Sequence, residues 1–244
     1  MSLFSPLREL TRGVRAFPEG VRWLRAHPKF IAMLTVPWLL GLVGLAFGLG
    51  AFVTHDQRVM DVILFARPAD SWAMLAVYFV CRALLYVAIV VLTMVGSLLL
   101  VNIAAAPVYE AISVAVEREV TGKEPLALGV RGNLKLIVTE VKKVALIFTV
   151  SVVLLLIPGV NIFSAVISAF LVGWDYYDYP LARRGWTLSA RLDFLRADFW
   201  AVLGFGLWLV IPILQLALLP LAVAGGTLLN LESQRRHEAT LRSP

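Results

Sequence analysis

The sequence predicts an all-α polytopic membrane protein with an N-terminal amphipathic helix, two long transmembrane helices and two Pro-broken, half-penetrating helical hairpins. Three observations carry that prediction. The composition is 60% hydrophobic and only 16% charged, where soluble domains run about half apolar and a quarter charged. Residues 30–53 hold no charge at all, and a helix of that length, rising about 1.5 Å per residue, crosses a hydrocarbon core of about 30 Å. From Trp72 to Ala106 a second apolar run is broken by a single charge, Arg82.

Residues 3–25 alternate apolar and basic. Leu7, Leu10, Val14, Phe17, Val21 and Leu24 recur at spacings of three and four, one helical stripe, while Arg8, Arg12, Arg15, Arg22 and Arg25 fall largely off it. Gly13, Pro18 and Gly20 interrupt the pattern, so the segment is expected to be a broken amphipathic helix on an anionic membrane surface. Pro28 opens the first deep segment, and Pro37 should kink it. Residues 54–71, with Asp56, Arg58, Asp61, Arg67 and Asp70, read as the first loop. The second run is longer than a span needs. It should continue as an amphipathic arm, "NIAAAPVYEAISVAVEREVTG", to about Thr121, with Gly122 as the stop. "KEPLALGVRG" is a linker.

The last third holds two similar units, "VALIFTVSVVLLLIPGVNIFSAVISAFLVGW" and "FWAVLGFGLWLVIPILQLALLPLAVAGGTLL". Each has an apolar arm ending in Ile-Pro, at Pro158 and Pro212. Each then has an amide, Asn161 or Gln215, and a second arm. The arms are shorter than the roughly 20 residues a full span requires. Paired, short, Pro-broken segments in corresponding positions mark binding regions in transport proteins. Two hairpins that enter partway and return fit this pattern, as do four short tilted spans. The whole chain reads as one membrane domain: an amphipathic arm (1–29), two long helices (30–121), two hairpins (122–231) and a basic tail (232–244).

Of the 22 Lys and Arg residues, Arg58 and Arg67 lie in the 54–71 segment and Arg82 lies inside an apolar run. The rest fall in the N-terminal arm, the 107–143 region, the 183–196 loop and the tail, all on one side of the membrane. The positive-inside rule makes that side, and both termini, cytoplasmic. The same rule accounts for the net charge of +6 without invoking nucleic acid. The first apolar run begins only near Phe30, after Arg8, Arg12, Arg15, Arg22, Arg25 and Lys29, so the start does not read as a cleavable signal. A single cysteine, Cys81, excludes an intrachain disulfide and a thiolate cluster. Three scattered histidines suggest no metal site. No phosphate loop, dinucleotide fingerprint or nucleophile elbow occurs, so neither an enzyme nor a cofactor is expected.

"VNIAAAPVYEAISVAVEREVTG" (101–122) resembles the Asn-x-Ile-Ala-Ala-Pro segment of the CysZ-type sulfate permeases, whose superfamily includes the eukaryotic etoposide-induced proteins. "IPGV" (157–160), "DYYDYP" (175–180), "LRADFWAVLGFG" (195–206) and "IPILQLALLPLAVAGGT" (211–227) follow in the family's order, and Pro28 and Pro37 match a proline pair. The resemblance implies two long transmembrane helices, two half-penetrating helix pairs and oligomeric assembly. It also implies sulfate uptake across a bacterial inner membrane for cysteine synthesis. Where the family holds sulfate at a Gly-Leu-Arg-type turn, this chain reads Lys29-Phe30-Ile31-Ala32.

Arg22, Arg25 and Lys29 flank the helix start at Pro28. Arginine forks and helix N-termini suit an oxyanion, and lipid headgroups suit the same residues. Arg82 can line an anion path, snorkel, or pair with a carboxylate. Asn102, Asn161 and Gln215 end apolar runs, where they can contact solute or satisfy backbone groups freed by Pro158 and Pro212. Trp174, Tyr176, Tyr177 and Tyr179 fit an interfacial aromatic belt. Asp175 and Asp178, three apart, are expected to form an ion-pair latch with Arg183, Arg184 and Arg191, or a proton-linked gate. Two functions follow: a permease or channel for sulfate or a related small oxyanion, working as a homo-oligomer, or a non-transporting membrane protein that organises lipids or partner proteins.

Overall fold

The computed structural model describes residues 5–64, 71–125, 130–156, 161–210 and 212–242. The helices run α1 (Ser5–Ala26), α2 (Pro28–Ile63), α3 (Trp72–Thr121), α4 (Val130–Leu156), α5 (Asn161–Tyr177), α6 (Tyr179–Arg183), α7 (Leu188–Ala197), α8 (Phe199–Gly206) and α9 (Pro212–Arg242), with a 3-10 turn at Leu207–Leu209. No strand occurs among the described residues. The chain forms two compact units: residues 32–108, and residues 1–31 together with 109–244.

The 32–108 unit holds most of α2 and α3. Two stretches, Pro28–Met60 and Trp72–Ser97, are long and apolar enough to cross a membrane. Their outer faces carry Leu42, Val43, Phe47, Val87 and Leu92, all largely exposed. A helix that is apolar on its outward faces needs lipid as its solvent. Between the helices the seam is made of small residues. A Cβ at Gly41 would lie 2.1 Å from Val101 Cγ2, and one at Gly48 would lie 2.6 Å from Thr93 Cγ2. Small residues at such spacing let backbones approach where no hydrophobic force drives helices together.

Residues 54–63 are helical, not part of a loop as their charges suggest. No Gly or Pro interrupts that stretch, Met60 is buried, and Asp56 finds partners on α3. Residues 65–70 of the expected loop lie outside the described residues. Pro37 and Pro107 sit inside α2 and α3 without ending them. Gly122 terminates α3 as expected, at φ +68°, with its N–H donating to Arg118 O at 2.9 Å.

In the other unit α1 packs on α8 and α9, and α5 packs on the same pair. The expected break in α1 does not occur; the helix runs through Pro18. Proline deprives the carbonyl four residues earlier of its donor. Here the indole N–H of Trp208 donates to that carbonyl, Val14 O, at 2.9 Å. Phe17 stacks on the same ring at 5.4 Å. Gly13 is a crossing point. A Cβ there would lie 1.8 Å from Ala201 O, and reciprocally a Cβ at Gly204 would lie 2.1 Å from Leu10 O. The inner face of α1 at Ala16, Phe17 and Leu24 is thus covered by protein, while Leu7 at its start is exposed.

α4 ends at Leu156 and α5 begins at Asn161, with residues 157–160 outside the described residues. α5 has 17 residues and the Phe199–Leu209 stretch is shorter still. α9 carries on from Pro212 into the tail as one helix.

Gly204→Val forces a side chain into the α1 backbone and should destabilise the protein by about 3 kcal/mol or more. Gly50→Ala, with nothing within 4 Å of its Cβ position, should leave the melting temperature unchanged or slightly raised. Thermal unfolding in detergent compares the two.

Candidate functional site

The stretch Trp174–Pro180 is the centre of the charged interior. α5 ends at Tyr177 and α6 begins at Tyr179, leaving Asp178 between them. Trp174, Tyr176, Tyr177 and Asp178 are all buried, so the aromatic group packs inside the protein and is not an exposed interfacial belt. Tyr109 meets Tyr176 edge-on at 6.2 Å, and Tyr177 stacks on Phe194 at 6.1 Å.

Asp178 receives two cations. Arg191 Nη1 lies 2.8 Å from its Oδ2, and Lys143 Nζ lies 3.3 Å from the same atom. Lys143 also meets Asp175 at 2.8 Å and Glu140 at 3.4 Å, and Arg191 meets Glu140 at 2.6 Å. This joins α4, the α5–α6 junction and α7. Burial opposes the charge on Lys143, but Asp175, Asp178 and Glu140 outweigh it and hold the ammonium above its ordinary range. Burial pushes the Asp178 carboxyl upward against the pull of Lys143 and Arg191.

Arg183 and Arg184 belong to a second cluster, not to the aspartates. Arg183 pairs with Glu110 at 2.7 Å and with Glu117, and its Nη2 lies 3.4 Å from Ser113 Oγ. Arg184 pairs with Glu117 at 2.6 Å and donates to Gln234. Burial works against ionised Glu117, yet hydrogen bonds from Arg184 and Arg183 hold its carboxyl below the usual range. The expected pairing of the aspartates with Arg183 and Arg184 is not formed: the aspartates close on Lys143 and Asp178 also on Arg191, and the adjacent arginines close on α3. A cleft of about 510 Å³ opens beside this cluster, lined by Glu117, Lys123, Arg184, Gln234, Arg235 and Glu238 among others.

A third cluster fastens α1. Arg12 Nη2 lies 3.1 Å from Asp198 Oδ1, its Nη1 donates to Ser233 Oγ at 3.1 Å, and Tyr177 donates to Asp198 at 2.5 Å. Sequence reasoning missed Arg12, Lys143, Glu117 and Asp198 as partners. The Glu110–Ser113–Glu117 column, polar at helical spacing, was a usable signal. Nothing local marks Asp198.

The remaining expected residues are dispersed. Arg22, Arg25 and Lys29 are exposed. Arg22 lies 3.8 Å from Glu19, and Lys29 sits over the Phe30 ring at 4.9 Å. The adjoining elbow is pinned to the end of α3 by Trp23, whose indole donates to Glu119 at 2.6 Å. In the 32–108 unit Arg82 pairs with Asp56 at 3.4 Å and lies over the Tyr86 ring, whose hydroxyl also bonds Asp56. Asn102 lies in α3, Asn161 and Pro212 begin α5 and α9, and Gln215 follows in α9. The side chains of these four, and Pro158 altogether, lie outside the described residues. Among the described residues no His, Cys, Asp and Glu group is arranged to hold a metal.

A family model described as "Sulfate transporter CysZ/Etoposide-induced protein 2.4" matches residues 16–222. The chain belongs to this family. Among its relatives is the protein named Sulfate transporter CysZ of Pseudomonas aeruginosa, 26% identical over 232 residues, which span 88% of this chain and 93% of that one. The protein of the same name from Pseudomonas fluorescens is 31% identical over 146 residues, covering 53% of this chain and 59% of that one. The one from Pectobacterium atrosepticum is 30% identical over 156 residues, covering 57% of each.

Asp178→Ala leaves Lys143 and Arg191 short of a buried counter-charge and should cost about 3–5 kcal/mol. Asp175→Ala, at a half-exposed carboxylate, should cost at most about 1 kcal/mol. Thermal or denaturant unfolding separates them. Glu117 supplies a pH signature. Its folded value is lowered, so its stabilisation is complete above its ordinary value of 4.5 and disappears as pH falls through the folded value. The deficit of Glu117→Gln relative to wild type should be full at neutral pH and close in acid.

Proposed function

We propose that this chain is a permease or channel for sulfate or a related small oxyanion in a bacterial inner membrane, with both termini cytoplasmic and several copies assembled together. The family match across residues 16–222 carries the proposal, supported by relatives named as sulfate transporters over most of their length. Two span-capable helices supply the membrane part, and the one-sided distribution of Lys and Arg supports the orientation. No catalytic step is assigned.

A permeating dianion must exchange its water shell for donors that release it again. Arg22, Arg25 and Lys29 are our candidates for capture: they are exposed, weakly paired and grouped at the start of α2. We assign Arg82 a holding role, because Asp56 and Tyr86 already engage it. Pro158 and Pro212 are our candidates for hairpin tips. There Asn161 and Gln215 would satisfy freed backbone groups or meet the solute, and Asn102 joins them as a pore candidate. Asp175 and Asp178, through Lys143 and Arg191, and Arg183 and Arg184, through Glu110 and Glu117, would brace the hairpin base as two separate latches.

Labelled sulfate uptake into proteoliposomes tests this beside empty vesicles. Wild type should accumulate sulfate, Arg25→Gln/Lys29→Gln should cut the initial rate at least tenfold, and Arg82→Gln/Asp56→Asn should retain it. No uptake by folded, correctly oriented protein would retire sulfate as the solute.

A further inference from the structure

The outward face of α1 carries a column of arginines of which the proposed oxyanion capture uses Arg22 alone. Arg8, Arg15 and Arg22 are seven residues apart and exposed. Seven residues make nearly two helical turns, so the three stack in one column. The column lies opposite the stripe of Gly13, Ala16, Phe17, Gly20 and Leu24 buried in the structure. Arg8 and Arg15 make no ion pair among the described residues. The carboxylates of α1 leave Arg8 and Arg15 unmatched: Glu9 turns to Arg12 at 2.8 Å and Arg236 at 3.3 Å, and Glu19 reaches Arg22, the third member of the column, at 3.8 Å. Apolar surface flanks the column. Leu7 is 64% exposed, Pro18 is exposed, and the partly exposed Trp208 bonds Val14 O next to Arg15. In the chain only His27 separates α1 from the span-capable helix that begins at Pro28.

We propose that this column is a binding site for the phosphate groups of anionic phospholipids. Guanidinium forks match phosphate oxygens two at a time. Because α8 and α9 cover the apolar stripe, α1 meets the bilayer with arginines, and its attachment is electrostatic, selective for charge and weakened by salt. A free oxyanion offers the same oxygen chemistry, and the test separates the two sources.

Detergent-solubilised full-length protein is titrated with phosphatidylglycerol or phosphatidylcholine, and binding is followed by tryptophan fluorescence and melting temperature. The comparison is Arg8→Gln/Arg15→Gln, which leaves Arg22, Arg25 and Lys29 in place and should melt like wild type without lipid. Each arginine near an anionic surface is worth roughly fivefold in affinity, so the variant should bind phosphatidylglycerol at least tenfold more weakly. Added salt should weaken wild-type binding, and phosphatidylcholine should bind neither protein this way. Equal phosphatidylglycerol binding by both proteins overturns the site. Equal binding of the two lipids by wild type overturns its selectivity. Displacement of the lipid by sulfate at the same ionic strength as an ineffective chloride control would assign the column to free oxyanion instead. Sulfate uptake by the variant reports separately on the transport proposal.

Discussion

Charge neutralisation inside the unit formed by residues 1–31 and 109–244 is the constraint on which its architecture depends. Lys143, Arg183 and Arg191 are buried, as are Glu117, Asp178 and Asp198. An isolated charge in such a place costs several kcal/mol, which only close opposite charge offsets. Each cation must therefore meet a carboxylate from another element. That fixes α4 to the α5–α6 junction through Lys143, α7 to the same junction through Arg191, and α3 to the end of α6 through Arg183. Short apolar helices cannot hold a register by apolar contact alone when lipid is an equally good solvent. Geometrically demanding ion pairs can.

Close backbone approach is the second requirement, and it explains why Pro18 is tolerated. The α1–α8 crossing at Gly13 and Gly204 leaves no room for side chains between the axes. Trp208 lies close enough to donate to Val14 O, so tertiary packing replaces the hydrogen bond that the proline removes. A rule about isolated helices therefore fails at a site where the neighbouring segment supplies the donor.

Much of the fold was legible because it follows from one-dimensional patterns. Uncharged length gave α2 and α3, and Gly122 gave the stop. The charge of residues 54–63 suggested a loop, but Asp56 is matched by Arg82 and Tyr86 across the helix pair. Charge pattern alone does not reveal a partner 26 residues away. The same limit applied to the interior. Asp178 and Arg183 are neighbours in sequence, yet their partners lie on different elements, because a helix end lets successive residues diverge. Asp198 sits at the α7–α8 junction, where no periodicity operates. The pairing of these residues is three-dimensional information, and only Glu110–Ser113–Glu117 carried a trace of it in spacing.

The pairing pattern also bears on how an oxyanion can be handled. A cation already closed on a carboxylate offers a dianion little net attraction, and pulling it away strands the carboxylate in a low-dielectric interior. Arg183 and Arg191 are each engaged by two carboxylates, and Lys143 by three. They are poor capture groups despite their depth. Arg22, Arg25 and Lys29 carry no such burden, and their exposure permits rapid exchange between water and solute. On this argument the buried clusters supply rigidity, and anion capture is left to the exposed cations proposed for it, Arg22, Arg25 and Lys29. A transporter benefits from that separation, because a site that must release its solute cannot also be one on which the fold depends.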